Sequence, residues 1–158
     1  MPGRRDHGDV DVSLLTRDQT AAQAHLTAWD LHCADPPGTL RPWLPGETLA
    51  PAIHDIWGRQ DPRDAWRFQL MLNPSDGGDW LYRRDPRLRR PIAALTWLQG
   101  GIPYLAPEVQ LLFKARGGRD KDRQDFEDAL PLLADAQRSW LRDTLQLTEP
   151  ASAWIAAL

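Results

Sequence analysis

Near its amino end the chain reads Gly8-Asp9-Val10-Asp11-Val12-Ser13-Leu14. Acidic and apolar residues alternate in it, and successive side chains of a β-strand point to opposite faces. The alternation therefore predicts a strand. We expect Val10, Val12 and Leu14 to face the core of the protein. Asp9 and Asp11 would then share the opposite face.

Two carboxylates at positions i and i+2 of a strand can bind a metal ion together, because their Cα atoms lie only about 6.6 Å apart. Carboxylate oxygens are the ligands that Mg²⁺ prefers, and acidic residues hold the metal ions of in-line phosphoryl transfer. Asp9 and Asp11 are therefore candidate catalytic and metal-binding residues. The simpler interpretation of the same pattern is a solvated strand face that carries two acids.

Short alternating segments separated by turn residues follow this stretch. They predict further strands over 53–59, 65–73 and 79–84. In the second of these strands, one face would carry the large apolar residues Trp66, Phe68, Leu70 and Leu72.

Helical patterns fill the carboxyl-terminal part of the chain. Pro107 suits the first position of a helix, and Asp120 and Asp135 are expected to cap two further helices. Strands followed by helices predict an α+β fold. We expect a sheet region over 1–98 and a helical region over 99–158 that pack as one compact unit.

The composition argues against several classes of protein. The chain has 158 residues and a formal net charge of −3, so no overall positive charge attracts nucleic acid or an anionic membrane. The single cysteine cannot form an internal disulfide, which suits a reducing compartment. No apolar run approaches the ~18 residues of a membrane helix. We therefore expect a cytoplasmic protein and do not expect a membrane or a nucleic acid as its partner.

Five segments in order, spread over nearly the whole chain, carry a further pattern: residues 4–12, 66–73, 80–85, 107–115 and 121–126. The first contains an apolar-Asp-x-Asp-apolar strand. Together they resemble the nucleotidyltransferase superfamily of DNA polymerase beta, and within it the minimal bacterial branch with the aminoglycoside-2''-adenylyltransferase-like proteins. The resemblance implies a mixed sheet of the nucleotidyltransferase type. It also implies transfer of a nucleoside monophosphate, AMP from ATP, to a hydroxyl of a small, aminoglycoside-like molecule.

The same resemblance implies roles for particular residues. Asp9 and Asp11 would hold Mg²⁺, and Lys114 and Lys121 would lie toward the nucleoside triphosphate, ATP or another NTP. A compact ammonium charge on lysine suits a phosphate ligand.

Two acids match the family's Lys-Asp-x-x-Asp helix, which closes over the site. They are Asp122 and Asp125. The residues themselves also permit a simpler interpretation, in which 121–125 is an ordinary charged helix start and Lys114 an exposed lysine near a helix end.

The chain departs from the family pattern in two places. It begins too late to contain the glycine motif and the helix that precede the acidic strand in the family, so we expect an uncovered apolar sheet face. Active members carry a third carboxylate on a neighbouring strand, where this chain has Gln69. Asp55 is the alternative third acid.

These departures leave two other hypotheses open. The chain could be a truncated or degenerate, non-catalytic member that acts as a binding or interaction module. It could also form a homodimer in which the partner covers the open sheet face.

A basic cluster lies between the predicted strands and the helices and comprises Arg83, Arg84, Arg87, Arg89 and Arg90. Such a cluster could contact a nucleotide or another polyanion. It could equally be a solvated edge that discourages aggregation between strands.

Overall fold

A computed structural model describes residues 9–158. A mixed sheet fills the first half and helices dominate the second, so the α+β class expected from the sequence is confirmed. The chain divides into two compact units, Met1–Pro86 (unit 1) and Arg87–Leu158 (unit 2). Within residues 9–158, no helix is both long enough and apolar enough to cross a membrane.

Unit 1 is built on a five-stranded sheet with one helix, α1 (Gln19–His25), after the first strand. Its strands in chain order are β1 (Val10–Leu15), β2 (Asp30–Ala34), β3 (Leu40–Pro42), β4 (Asp55–Arg59) and β5 (Phe68–Asn73). They lie side by side in the order β1-β5-β4-β2-β3. β1 runs parallel to β5, and every other neighbouring pair is antiparallel. Two short strands that follow, β6 (Ser75–Asp76) and β7 (Asp79–Leu81), form a hairpin.

One face of this sheet carries the core of unit 1. Alternate residues of three neighbouring strands are buried there: Leu31 and Cys33 on β2, Ile56 on β4, and Leu70 and Leu72 on β5. The period of two that predicted these strands therefore also fixes which side chains leave water. Trp43 and Leu49 complete the core from the connection between β3 and β4.

The predicted face of β5 is confirmed for Phe68, Leu70 and Leu72, which all contribute to this core, but the prediction for Trp66 is wrong. Trp66 lies before β5 begins. Its ring packs against the guanidinium of Arg59, at 4.3 Å, and against the ring of His32, at 5.3 Å, both on the other face. The alternation of a strand does not apply to a residue outside the strand.

The prediction that Val10 and Val12 face the core is also only partly right. Val12 pairs with Leu70 and shares its side of the sheet, but 61% of Val10 and 39% of Val12 remain exposed. Both side chains stay exposed because β1 is the edge strand and the described residues do not cover this end of the sheet. Leu14, farther along the strand, packs against the core.

Gly58 provides a test of the packing between β4 and β5. A Cβ atom at this position would lie 2.1 Å from Cζ of Phe68, the residue that pairs with it. Gly58→Ala is expected to destabilise the protein by about 1–3 kcal/mol, because the Phe68 ring must move. Urea unfolding followed by tryptophan fluorescence measures the loss. Gly78→Ala, whose Cβ would meet no atom within 4 Å, is the matched control. Equal midpoints for the two variants would contradict the packing described.

Unit 2 begins with three short strands: β8 (Arg89–Pro91), β9 (Thr96–Gln99) and β10 (Ile102–Leu105). β9 and β10 form an antiparallel hairpin. Gly100 and Gly101 turn it with φ values of 59° and 80°, which suit glycine at both central positions of a two-residue turn.

Three helices follow: α2 (Pro107–Ala115), α3 (Asp120–Ala129) and α4 (Asp135–Thr148). Their buried apolar residues form the core of unit 2 and include Val109, Leu112, Phe126, Leu141 and Leu145. The predicted start at Pro107 is confirmed. The prediction that Asp120 and Asp135 cap the next two helices is wrong, because Arg119 and Ala134 occupy the N-cap positions. The two aspartates instead occupy the first turn, where a negative charge favours the helix.

Candidate functional site

The face of the unit 1 sheet opposite the core carries charged and aromatic side chains. We call it the polar face and define it by Asp11 on β1, Gln69 on β5, Asp55, Trp57 and Arg59 on β4, and Asp30 and His32 on β2. The strand register places Asp11, Gln69, Trp57 and His32 in one row across four strands. Asp9 lies directly before β1, and both predicted catalytic aspartates are exposed.

The alternative third acid, Asp55, lies on this face. Nε2 of Gln69 donates a hydrogen bond to Oδ1 of Asp55 at 2.9 Å, and Gln69 itself pairs with Asp11 across the neighbouring strands. Asp55 is therefore one strand farther from Asp11 than Gln69 is. The position directly beside Asp11 carries a neutral amide, which can neither balance the charge of a cation nor accept a proton.

Two exposed carboxylates lie at this edge of the sheet, Asp11 on the polar face and Asp9 directly before β1. Mg²⁺ usually keeps several waters and is bound through one or two carboxylates together with the phosphates of a substrate. Asp9 and Asp11 supply two exposed carboxylates for such an ion. In the part of the chain that the structure describes, no group of three or more His, Cys, Asp or Glu side chains could hold a metal. The two carboxylates match in number what such an ion takes from a protein.

The other end of the polar face carries an ion-pair cluster that the sequence analysis missed. Nε of Arg59 donates to Oδ2 of Asp30 at 2.7 Å, and Nε2 of His32 lies 3.0 Å from Oδ1 of the same carboxylate. The Arg59 guanidinium also stacks on Trp66. The i, i+2 spacing of Asp30 and His32 was the available signal, but only the pairing of β2 with β4 brings Arg59 to them.

The pKa of Asp30 makes this cluster sensitive to acid. The hydrogen bond from Arg59 holds the pKa of the Asp30 carboxyl below its ordinary value of 3.8. A carboxyl whose pKa is lower in the folded state than in the unfolded state stabilises the fold. Its contribution to the free energy of unfolding is complete above pH 3.8 and is lost as the pH falls through the folded-state pKa. The free-energy difference in unfolding between wild type and Asp30→Asn should therefore shrink as the pH falls below 3.8. A difference that stays constant down to about pH 2 would contradict this.

Unit 2 brings three of its four predicted site residues into one cluster. Nζ of Lys114 lies 2.5 Å from Oδ2 of Asp125 and 3.9 Å from Oδ1 of Asp122. Asp122 is fully buried and also accepts two hydrogen bonds from Arg119, at 2.6 Å and 3.0 Å. The fourth residue, Lys121, is exposed in the first turn of α3. Lys114 thus connects the end of α2 to α3.

A second buried ion pair in unit 2 was also missed. Glu108 is 2% exposed, and its carboxylate accepts from Nη2 of Arg90 at 2.7 Å and from Nε2 of Gln137 at 2.8 Å. The Arg90 guanidinium lies over the ring of Trp140 at 4.6 Å. Glu108 lies in the first turn of α2, where a negative charge is favourable, and no local spacing links it to partners 18 and 29 residues away.

Comparisons of the chain with protein-family models, with curated proteins and with solved structures found no match.

Proposed function

We propose that the protein binds a nucleoside triphosphate, ATP, with Mg²⁺ and transfers its nucleoside monophosphate to a hydroxyl of a small molecule. The observation that carries the proposal is the pair Asp9 and Asp11. Both carboxylates are exposed. Asp11 lies on the edge strand of a mixed sheet, beside Gln69 on the face that the core leaves to solvent, and Asp9 directly precedes that strand. The sequence resemblance to nucleotidyltransferases supports the same chemistry.

The reaction requires one bond to form and one to break. The acceptor hydroxyl oxygen bonds to the α-phosphorus, the bond from this phosphorus to the bridging oxygen breaks, and pyrophosphate leaves. Mg²⁺, when bound, neutralises charge on the phosphates. Asp9 and Asp11 are the residues that would hold this ion. The hydroxyl proton needs a base, and we assign this role to Asp55, the next carboxylate on the polar face.

The experiment has a binding stage and a product stage. Isothermal titration with ATP should give heat of binding in the presence of Mg²⁺ and none after Mg²⁺ is removed with EDTA. The protein is then incubated with ATP, Mg²⁺ and a panel of amino sugars and other polyhydroxylated compounds. Mass spectrometry should detect an acceptor that has gained one AMP, together with free pyrophosphate. Absence of Mg²⁺-dependent ATP binding would refute the proposal.

A second candidate function, nucleotide binding without transfer, is favoured by Gln69. Its amide stands beside Asp11 and is held by its bond to Asp55. On this hypothesis the wild-type protein binds Mg²⁺ and ATP but forms no product. Gln69→Glu, which restores a carboxylate at this position, would then be needed for transfer. A wild-type protein that forms product rejects this candidate.

A further inference from the structure

A guanidinium nitrogen beside the polar face has hydrogen-bonding capacity that the described residues leave unused. Nη1 of Arg83 is buried and forms no hydrogen bond within the part of the chain that the structure describes. Buried polar atoms are paired in the great majority of cases, and a guanidinium is always charged in proteins. One fifth of the Arg83 side chain is nevertheless accessible to solvent.

The carboxylate nearest to this nitrogen does not pair with it closely. Nη1 of Arg83 lies 3.8 Å from Oδ1 of Asp55, which is too far for a hydrogen bond. The same oxygen accepts the hydrogen bond from Gln69. Burial, together with the charge of Arg83, lowers the pKa of the neighbouring His54 imidazole.

Other arginines of unit 1 are held in closer ion pairs. Arg59 donates to Asp30 at 2.7 Å, Arg63 to Asp61 at 2.8 Å, and Arg41 to both Asp35 and Glu47 at 2.9 Å and 2.7 Å. In each of these ion pairs, a carboxylate of the protein balances the charge of the arginine. Arg83 differs because its closest ion-pair distance to Asp55 is a full ångström longer.

We infer that Arg83 binds phosphate oxygens of the nucleotide on the polar face. The inference rests on the proposed function, since it takes Asp9 and Asp11 as the site of the metal-bound triphosphate. Gln69 and Asp55 link Asp11 to Arg83. Gln69 pairs with Asp11 and donates a hydrogen bond to Asp55, and Asp55 lies next to the Arg83 guanidinium. A planar guanidinium with several N–H donors matches the geometry of a phosphate group.

Titration with inorganic pyrophosphate in the absence of Mg²⁺ tests this role of Arg83 separately from the metal site. Arg83→Gln is expected to weaken pyrophosphate binding by about 10- to 100-fold, which corresponds to the loss of one charge-assisted hydrogen bond. Arg84→Gln, at the exposed neighbouring position, is the matched control and should bind as the wild type does.

Three outcomes would overturn the inference: no binding of pyrophosphate by the wild type, unchanged binding by Arg83→Gln, or an equal loss in Arg84→Gln. A fourth is a loss confined to Arg67→Gln, because Arg67 is an exposed arginine directly before β5 and would then be the phosphate ligand.

A second measurement on the wild-type protein covers the case in which Arg83→Gln does not fold. The Nε–Hε resonance of Arg83 should shift on addition of pyrophosphate in a nitrogen–proton correlation spectrum, while that of Arg63 should not. Equal shifts, or none, would reject the inference. The proposed function fails independently if Asp11→Asn leaves Mg²⁺-dependent ATP binding intact while pyrophosphate binding still requires Arg83.

Discussion

Replacement of Asp11 by asparagine is expected to lower nucleotidyl transfer by more than about 100-fold, because loss of even an indirect metal partner costs ~10–100-fold. Asparagine keeps the size of the side chain and removes its negative charge. The variant should also bind ATP in the presence of Mg²⁺ far more weakly than the wild type does. Pyrophosphate release and isothermal titration measure the two losses.

This loss should not reflect a damaged fold. Asp11 is exposed, so Asp11→Asn should change the free energy of unfolding by no more than about 0.5 kcal/mol. Asp64→Asn, at an exposed acid in the loop before β5, is the matched control and should keep full activity. Equal activities of Asp11→Asn and wild type would remove Asp11 from the site, and an equal loss in Asp64→Asn would point to a general effect of charge.

Glu108→Ala is expected to destabilise the protein by about 3–5 kcal/mol, the range for removal of one partner of a buried ion pair. The substitution removes the carboxylate that accepts from both Arg90 and Gln137. Arg90, whose side chain is only 16% exposed, would then carry its charge without that partner. Urea unfolding followed by circular dichroism should show a much lower midpoint.

A double variant separates the unpaired charge from lost packing. Arg90→Met combined with Glu108→Leu removes both charges and keeps apolar volume, so it should recover most of the stability that Glu108→Ala loses. Thr96→Ala, at an exposed position of β9, serves as the control for a neutral substitution in unit 2. A Glu108→Ala protein within about 0.5 kcal/mol of the wild type would show that the pair contributes little.

Local sequence patterns predicted much of the fold. Alternation located β1, β4 and β5, and Pro107 marked the start of α2. These signals are local, because the pleat of a strand and the geometry of a first helical turn depend on residues close in sequence. The strand register places Gln69 and Asp55, the two residues considered for a third acid, on the face that carries Asp11.

Contacts that depend on strand order could not be predicted in the same way. The order β1-β5-β4-β2-β3 places Arg59 beside Asp30, and it leaves Val10 and Val12 at an edge where alternation alone would bury them. Glu108 shows the same limit, since its partners lie on other elements. A periodic pattern identifies the face of an element, whereas its neighbours follow from packing of the whole unit.

In the proposed function, Asp9 and Asp11 hold a divalent ion that comes with a nucleotide. Paramagnetic Mn²⁺ in place of Mg²⁺ tests it directly, because amide resonances near the ion are broadened in nitrogen–proton correlation spectra. With ATP present, a substoichiometric amount of Mn²⁺ should selectively broaden the amides of residues 9–13 and of their β5 neighbours around Gln69, and Asp11→Asn should abolish the effect. Broadening confined to other residues, or unchanged in Asp11→Asn, would show that the ion binds elsewhere.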